Sequence, residues 1–105
     1  MPGRWIDVAA ADAVRESRTL SAEVDGYAIV ITRCGEDYYA IEDRCTHDGE
    51  PLAGAEIEQC EIICPRHFAR FCLKSGAALS PPAYEPAKTF AVRVHNGRIL
   101  VQTPE

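Results

Sequence analysis

The sequence predicts an all-β domain of mostly antiparallel strands, and two observations carry that prediction. Apolar residues alternate with polar ones at a period of two far more often than they recur at a helical period. Near the C-terminus Phe90, Val92 and Val94 alternate with Ala91, Arg93 and His95, and Asn96-Gly97 then precedes Arg98-Ile99-Leu100-Val101. A two-residue hairpin of type I′ needs φ > 0 at both central positions, which Asn-Gly tolerates.

The remaining elements follow in chain order. Trp5-Ile6-Asp7-Val8 reads as a strand, and Ala10 to Glu16 as the one plausible helical turn, with Asp12 placed to cap it. Leu20 to Val24, Ala28 to Arg33 and Tyr38 to Glu42 read as three strands, with turns at Asp25-Gly26 and Gly35-Glu36-Asp37. The stretch Cys45 to Pro86 has a different character. It holds four of the five cysteines, two of the three histidines and five of the seven prolines, so it reads as loops inserted into a β scaffold. Strand-like stretches occur within Ala55 to Ile63 and at Phe71 to Leu73, whereas Ser80-Pro81-Pro82-Ala83-Tyr84 cannot be a central strand, because two prolines remove ladder donors.

Composition bounds the function. With 105 residues, 47% of them hydrophobic and 26% charged, the chain has material for one core and is too apolar for disorder. Its longest aliphatic stretch, Ala28 to Ile31, is far short of a membrane span, and Met1 to Trp5 leads into no apolar signal region, so a cytoplasmic protein is expected. The net charge of −5 disfavours nucleic acid and anionic membranes as partners and favours a basic protein surface. In a reducing compartment the odd set Cys34, Cys45, Cys60, Cys64 and Cys72 reads better as a metal site plus spare thiols than as a disulfide framework.

The chemistry concentrates in Cys45-Thr46-His47 and Cys64-Pro65-Arg66-His67, each offering one thiolate and one imidazole. A tetrahedral Cys₂His₂ zinc site would use these donor types, giving a zinc-stabilised binding module. Zinc knuckles, however, usually place two to four residues between paired ligands, and Cys45 and His47 have one. A [2Fe–2S] cluster fits the spacing better: if each loop gives its Cys to one iron and its His to the other, two loops can lie side by side without converging on a point.

On these segments, with Cys45-Thr46-His47-Asp48-Gly49, Ala69-Arg70-Phe71 and Ser80-Pro81-Pro82-Ala83, the chain resembles the Rieske-type ferredoxins, small electron carriers of bacterial oxygenase systems. The resemblance runs from Trp5 through the C-terminal hairpin. It implies a Rieske antiparallel β-sandwich with a small cluster-binding subdomain, here about residues 43–86, and one [2Fe–2S] cluster. It implies that Cys45 and Cys64 bind the buried iron, that His47 and His67 bind the iron nearest solvent, and that Pro81 and Pro82 form a covering loop. The function it implies is one-electron transfer from a flavoprotein reductase to a terminal non-heme iron oxygenase, by a protein without a catalytic domain of its own. Service to iron–sulfur assembly and the small subunit of nitrite reductase are similar roles within the same resemblance.

The departures from the family carry expectations too. The loop-linking cysteines of respiratory relatives would fall at Glu50 and Arg66, so that bridge is absent. Their sulfur-bonding serine and tyrosine would fall at Ala69 and Phe71, so a low reduction potential, near about −150 mV, is expected. The family glycine after the second histidine is Phe68; if its φ is positive, the ring costs about 1–2 kcal/mol, and it is expected as an exposed apolar contact. Cys34 is expected as a small buried hydrophobe, Cys60 and Cys72 as packed thiols near the cluster, and His95 as a surface residue. Asp48 through Glu61 carries five acids (Asp48, Glu50, Glu56, Glu58, Glu61) and no Lys or Arg, and reads either as a solvated loop or as a docking surface near the histidines.

Overall fold

The computed structural model of the protein describes residues 3–46, 48–66 and 68–103. In chain order, β1 (Trp5–Ala10) is followed by a 3-10 turn (Ala11–Ala13), β2 (Thr19–Val24), β3 (Tyr27–Cys34) and β4 (Asp37–Glu42). Then come β5 (Glu56–Glu58), β6 (Glu61–Ile63), β7 (Arg70–Cys72), β8 (Thr89–Phe90), β9 (Val92–His95) and β10 (Arg98–Gln102). They form three antiparallel sheets, ordered β1-β10-β9, β2-β3-β4-β8 and β5-β6-β7.

The four-stranded sheet is the middle layer, which explains why β3 breaks the alternation of its neighbours. Ile29 and Ile31 join Ala40, Phe90, Ile99 and Val101 in one core, while Val30 and Ile41 join a second core with Leu52, Ile62 and Phe71. A strand covered on both faces is apolar at successive positions. Thr32 is the polar exception in this buried run, and its hydroxyl is satisfied by donating to the Arg18 carbonyl at 2.7 Å. The second core lies beneath the Cys45 and Cys64 loops, so the middle sheet is the floor on which the site is built.

Three expectations change. The helical turn over Ala10 to Glu16 shrinks to Ala11–Ala13: Ala10 is still in β1, and Asp12 lies within the turn instead of capping it. The strand expected from Phe90 to His95 divides at Ala91, since Phe90 pairs with Ala40 in the middle sheet while Val92 pairs with Val101 in another. That switch joins the two layers and is invisible to a period-two pattern. Finally, Cys34 and Cys60 are a disulfide with Cα atoms 5.6 Å apart, not a buried hydrophobe and a spare thiol. Cys34 ends β3 and Cys60 lies in the β5–β6 turn, so only the folding of one hairpin against another reveals the pair. His95 is exposed, as expected.

Candidate metal centre

Two short turns of matched construction carry the cysteines. In the first, the Cys45 N–H donates to the Glu50 carbonyl at 2.8 Å and the Gly49 N–H to the Cys45 carbonyl at 2.7 Å. In the second, the Cys64 N–H donates to the Ala69 carbonyl at 2.8 Å and the Phe68 N–H to the Cys64 carbonyl at 2.9 Å. The fourth residue after each cysteine is left-handed, Gly49 at φ +75° and Phe68 at φ +62°. The shared hydrogen-bond pattern gives both cysteines the same local setting, one turn leaving β4 and the other leaving β6.

Cys45 and Cys64 are both fully buried, and their sulfurs lie within 4.8 Å of one another and of an Asp48 carboxylate oxygen. Metal–thiolate bonds are about 2.3 Å long, so two sulfurs at that separation can share one ion. The structure thus brings together two of the four residues singled out in the sequence. His47 and His67, the other two, lie outside the described residues.

Asp48 joins the two turns. Its carboxylate accepts the Arg66 guanidinium at 2.7 and 3.3 Å, and one oxygen also accepts the Glu50 N–H at 3.0 Å. Arg66 stands where the resemblance placed a loop-linking cysteine, so an ion pair spans the loops here. Its pKa is raised, chiefly by the hydrogen bond to Asp48, against partial desolvation and with help from the Cys64 sulfur. Asp48 follows His47 and Arg66 precedes His67 in the sequence, an opposite-charge signal that the spacing of metal donors does not register.

Three further contacts hold the turns in place. The Asp43 carboxylate accepts the N–H groups of Leu52 and Ala53 at 2.6 and 2.8 Å, tying the exit of the first loop back to its entry. The Thr46 hydroxyl donates to the Glu85 carbonyl at 2.7 Å, and the Ser80 hydroxyl accepts the Arg70 N–H at 3.1 Å. These last two dock the proline segment on both loops. Pro81-Pro82 is a cis peptide there, and Thr46, Pro82, Tyr84 and Glu85 line a shallow surface hollow. Ala69 and Phe71 are fully buried and offer no hydroxyl to a sulfur. Cys72 carries no disulfide, and hydrogen bonding by Ser75 lowers its thiol pKa.

The acidic stretch is less bare than its sequence implies. Asp48 pairs with Arg66, and Glu58 and Glu61 both bond Arg70, at 2.7 and 3.0 Å. Glu58 and Glu61 also flank the β5–β6 turn, at the opposite end of β6 from Cys64. Glu50 and Glu56 are exposed, and Glu56 stands opposite Ile63, next to Cys64.

Phe68 combines a left-handed backbone with a side chain 71% exposed, so burial does not offset its conformational cost. Phe68→Gly is therefore expected to raise stability by about 1 kcal/mol, a gain in melting temperature of roughly 4–8 °C. Thermal denaturation of the two holoproteins checks this; a lower melting temperature for the glycine variant contradicts the strain reading.

The Asp48–Arg66 pair gives a prediction with two signs. In a redox centre held by these turns, reduction would add a negative charge, which Arg66 would favour and Asp48 would oppose. Arg66→Gln should lower the midpoint potential and Asp48→Asn should raise it, each by roughly tens of millivolts. Redox titration of both variants tests this, since a purely structural pair would move both potentials the same way or neither.

Comparison with known proteins agrees with this geometry. The family described as the Rieske [2Fe-2S] domain matches residues 4–91. The 3-phenylpropionate/cinnamic acid dioxygenase ferredoxin subunit of Escherichia coli strain K12 is 40% identical over 78 residues, 73% of this chain and 74% of that protein. Among solved structures, the ferredoxin of carbazole 1,9a-dioxygenase from Nocardioides aromaticivorans IC177 superposes with a TM-score of 0.91 at 29% identity, covering 95% of this chain and 98% of that one. A complex of reduced oxygenase and oxidized ferredoxin in carbazole 1,9a-dioxygenase matches with a TM-score of 0.86 at 29% identity, over 93% of this chain and 92% of that one. Among the described residues no helix is long and apolar enough to cross a membrane.

Proposed function

Because the chain belongs to the Rieske [2Fe–2S] domain family, we propose that it is a one-electron carrier that takes electrons from a flavoprotein reductase and delivers them to a terminal non-heme iron oxygenase. The observation that carries this reading is the pair of buried cysteine sulfurs on matched turns. Two thiolates that close fit the inner iron of a [2Fe–2S] cluster. Cys45 and Cys64 hold that iron in this reading, and His47 and His67 hold the outer one; the spacing of each histidine from its cysteine supports the assignment. The cluster supplies the one-electron chemistry, and in this reading the chain acts as a carrier.

The protein's own residues set the conditions for transfer. Leu52, Ala69 and Phe71 are fully buried in the same core as Cys45 and Cys64. With no hydroxyl at positions 69 and 71, the sulfurs receive no help there in bearing added charge, which supports a potential near the roughly −150 mV lower end of the Rieske range. The cluster-binding part is taken as about residues 43–86, and the compartment as the cytoplasm. The outward surface offers Phe68 and, on the proline segment, Tyr84, 81% exposed, as contacts for a partner. The oxygenase is the acceptor of choice because a similar ferredoxin forms a complex with one.

Holoprotein purified natively should contain two irons and two acid-labile sulfides per chain. It should be reduced by a flavoprotein reductase and reoxidised by an oxygenase component in stopped-flow mixing. One zinc per chain without iron would overturn the reading, as would a reduced centre that no oxygenase reoxidises.

A further inference from the structure

We propose that Cys34 and Cys60 form a thiol–disulfide exchange site whose closed form pins the cluster-bearing hairpin to the middle sheet. The two residues come from different sheets: Cys34 ends β3, and Cys60 lies in the turn between β5 and β6. β6 begins at Glu61 and runs directly into Cys64, so the link grips one end of the strand whose other end delivers a buried sulfur. Cys60 is also tied to the next strand, since its carbonyl accepts the N–H of the buried Leu73 at 3.1 Å.

The turn itself is an uneasy one. Gln59 and Cys60 are both left-handed, at φ +52° and +59°, in a two-residue hairpin where Asn and Gly are the favoured residues. A non-glycine pair persists in that conformation when its surroundings hold it, and here a covalent bond does so. Both cysteines are only partly buried, whereas Cys45 and Cys64 are fully buried. Cys72, which carries no disulfide, lies on β7 outside the pair.

The reaction partner is a low-molecular-weight disulfide such as glutathione disulfide. One protein thiolate attacks it, forming a mixed disulfide and expelling one glutathione thiolate; the second protein thiolate then displaces the other. The protein S–S bond forms, the glutathione S–S bond breaks, two electrons pass to glutathione, and the two thiol protons end on its two sulfurs. A dithiol reductant reverses the sequence. Opening the link frees the β5–β6 turn to relax and loosens the support of the Cys64 loop.

The test uses natively purified holoprotein equilibrated anaerobically in glutathione buffers of graded ratio. Alkylation followed by mass measurement should show Cys34 and Cys60 protected together in oxidising buffer and modified together in reducing buffer. Opening the link should lower the melting temperature by on the order of 10 °C. It should also speed bleaching of the visible cluster absorbance by a chelator roughly threefold or more. Cys34→Ser should behave as the reduced protein does under every buffer, and Cys72→Ser as the wild type. If a serine variant fails to fold, the wild-type titration alone decides. Cys34 and Cys60 alkylated independently, or a link whose opening moves neither the melting temperature nor the bleaching rate, overturns the proposal. Alkylation and melting do not depend on what the cluster reduces, so either result is separable from failure of electron transfer to an oxygenase.

Discussion

Cys45→Ala and Cys64→Ala are each expected to abolish the cluster, with iron and acid-labile sulfide falling to background and the visible absorbance lost. Each sulfur is fully buried, among Leu52, Ala69 and Phe71, and no other cysteine is in place to substitute: Cys34 and Cys60 are joined to each other, and Cys72 lies on β7. His47→Ala and His67→Ala should lose the native cluster as well, with residual iron lacking the spectrum of mixed Cys and His ligation. Iron and sulfide assays with electron paramagnetic resonance of the dithionite-reduced protein decide the matter. A native spectrum retained by either cysteine variant would remove the ligand assignment, and with it the account of what the two matched turns are for.

Gly76→Ala is expected to produce a large loss of stability at a position away from the ligands. Gly76 has φ +79°, and a Cβ there would collide with the Ala87 carbonyl oxygen and press on the Thr89 side chain. Its backbone is committed on both sides, donating to the Cys72 carbonyl at 2.7 Å and accepting the Ala87 N–H at 2.8 Å. The left-handed conformation costs about 1–2 kcal/mol for an alanine, and relieving the clash adds about 1–3 kcal/mol because backbone must move. The melting temperature should fall by roughly 10–25 °C. Gly97→Ala is the matched control: its φ of +74° carries the same conformational cost, but nothing lies within 4 Å of the added carbon. Equal losses for the two variants would show that close approach at Gly76 is not what matters.

The two glycines also show why parts of the fold could be read from the chain and others could not. Gly97 follows Asn96 between alternating strands, a local signal that the hairpin of β9 and β10 satisfies. Gly76 gives no such signal, because its requirement comes from Ala87, eleven residues on, crossing beside it. The donor pattern around Cys45 and Cys64 is likewise local, since cluster ligation needs particular atoms at particular spacings whatever encloses them. Phe68 was legible as a possible left-handed residue only through the family resemblance, and the structure supplied its φ and its exposure.

By itself, then, the sequence determined the antiparallel β class, most strand positions and the two donor segments, all properties of neighbours along the chain. The tertiary structure decided which face of β3 meets which core, where the chain changes sheets at Ala91, and that Asp48 reaches Arg66. It also decided that Cys34 meets Cys60 across 26 residues. Side-chain periodicity and turn preference act over a few residues, whereas sheet layering, ion pairs between loops and disulfides depend on which distant segments burial of apolar surface packs together.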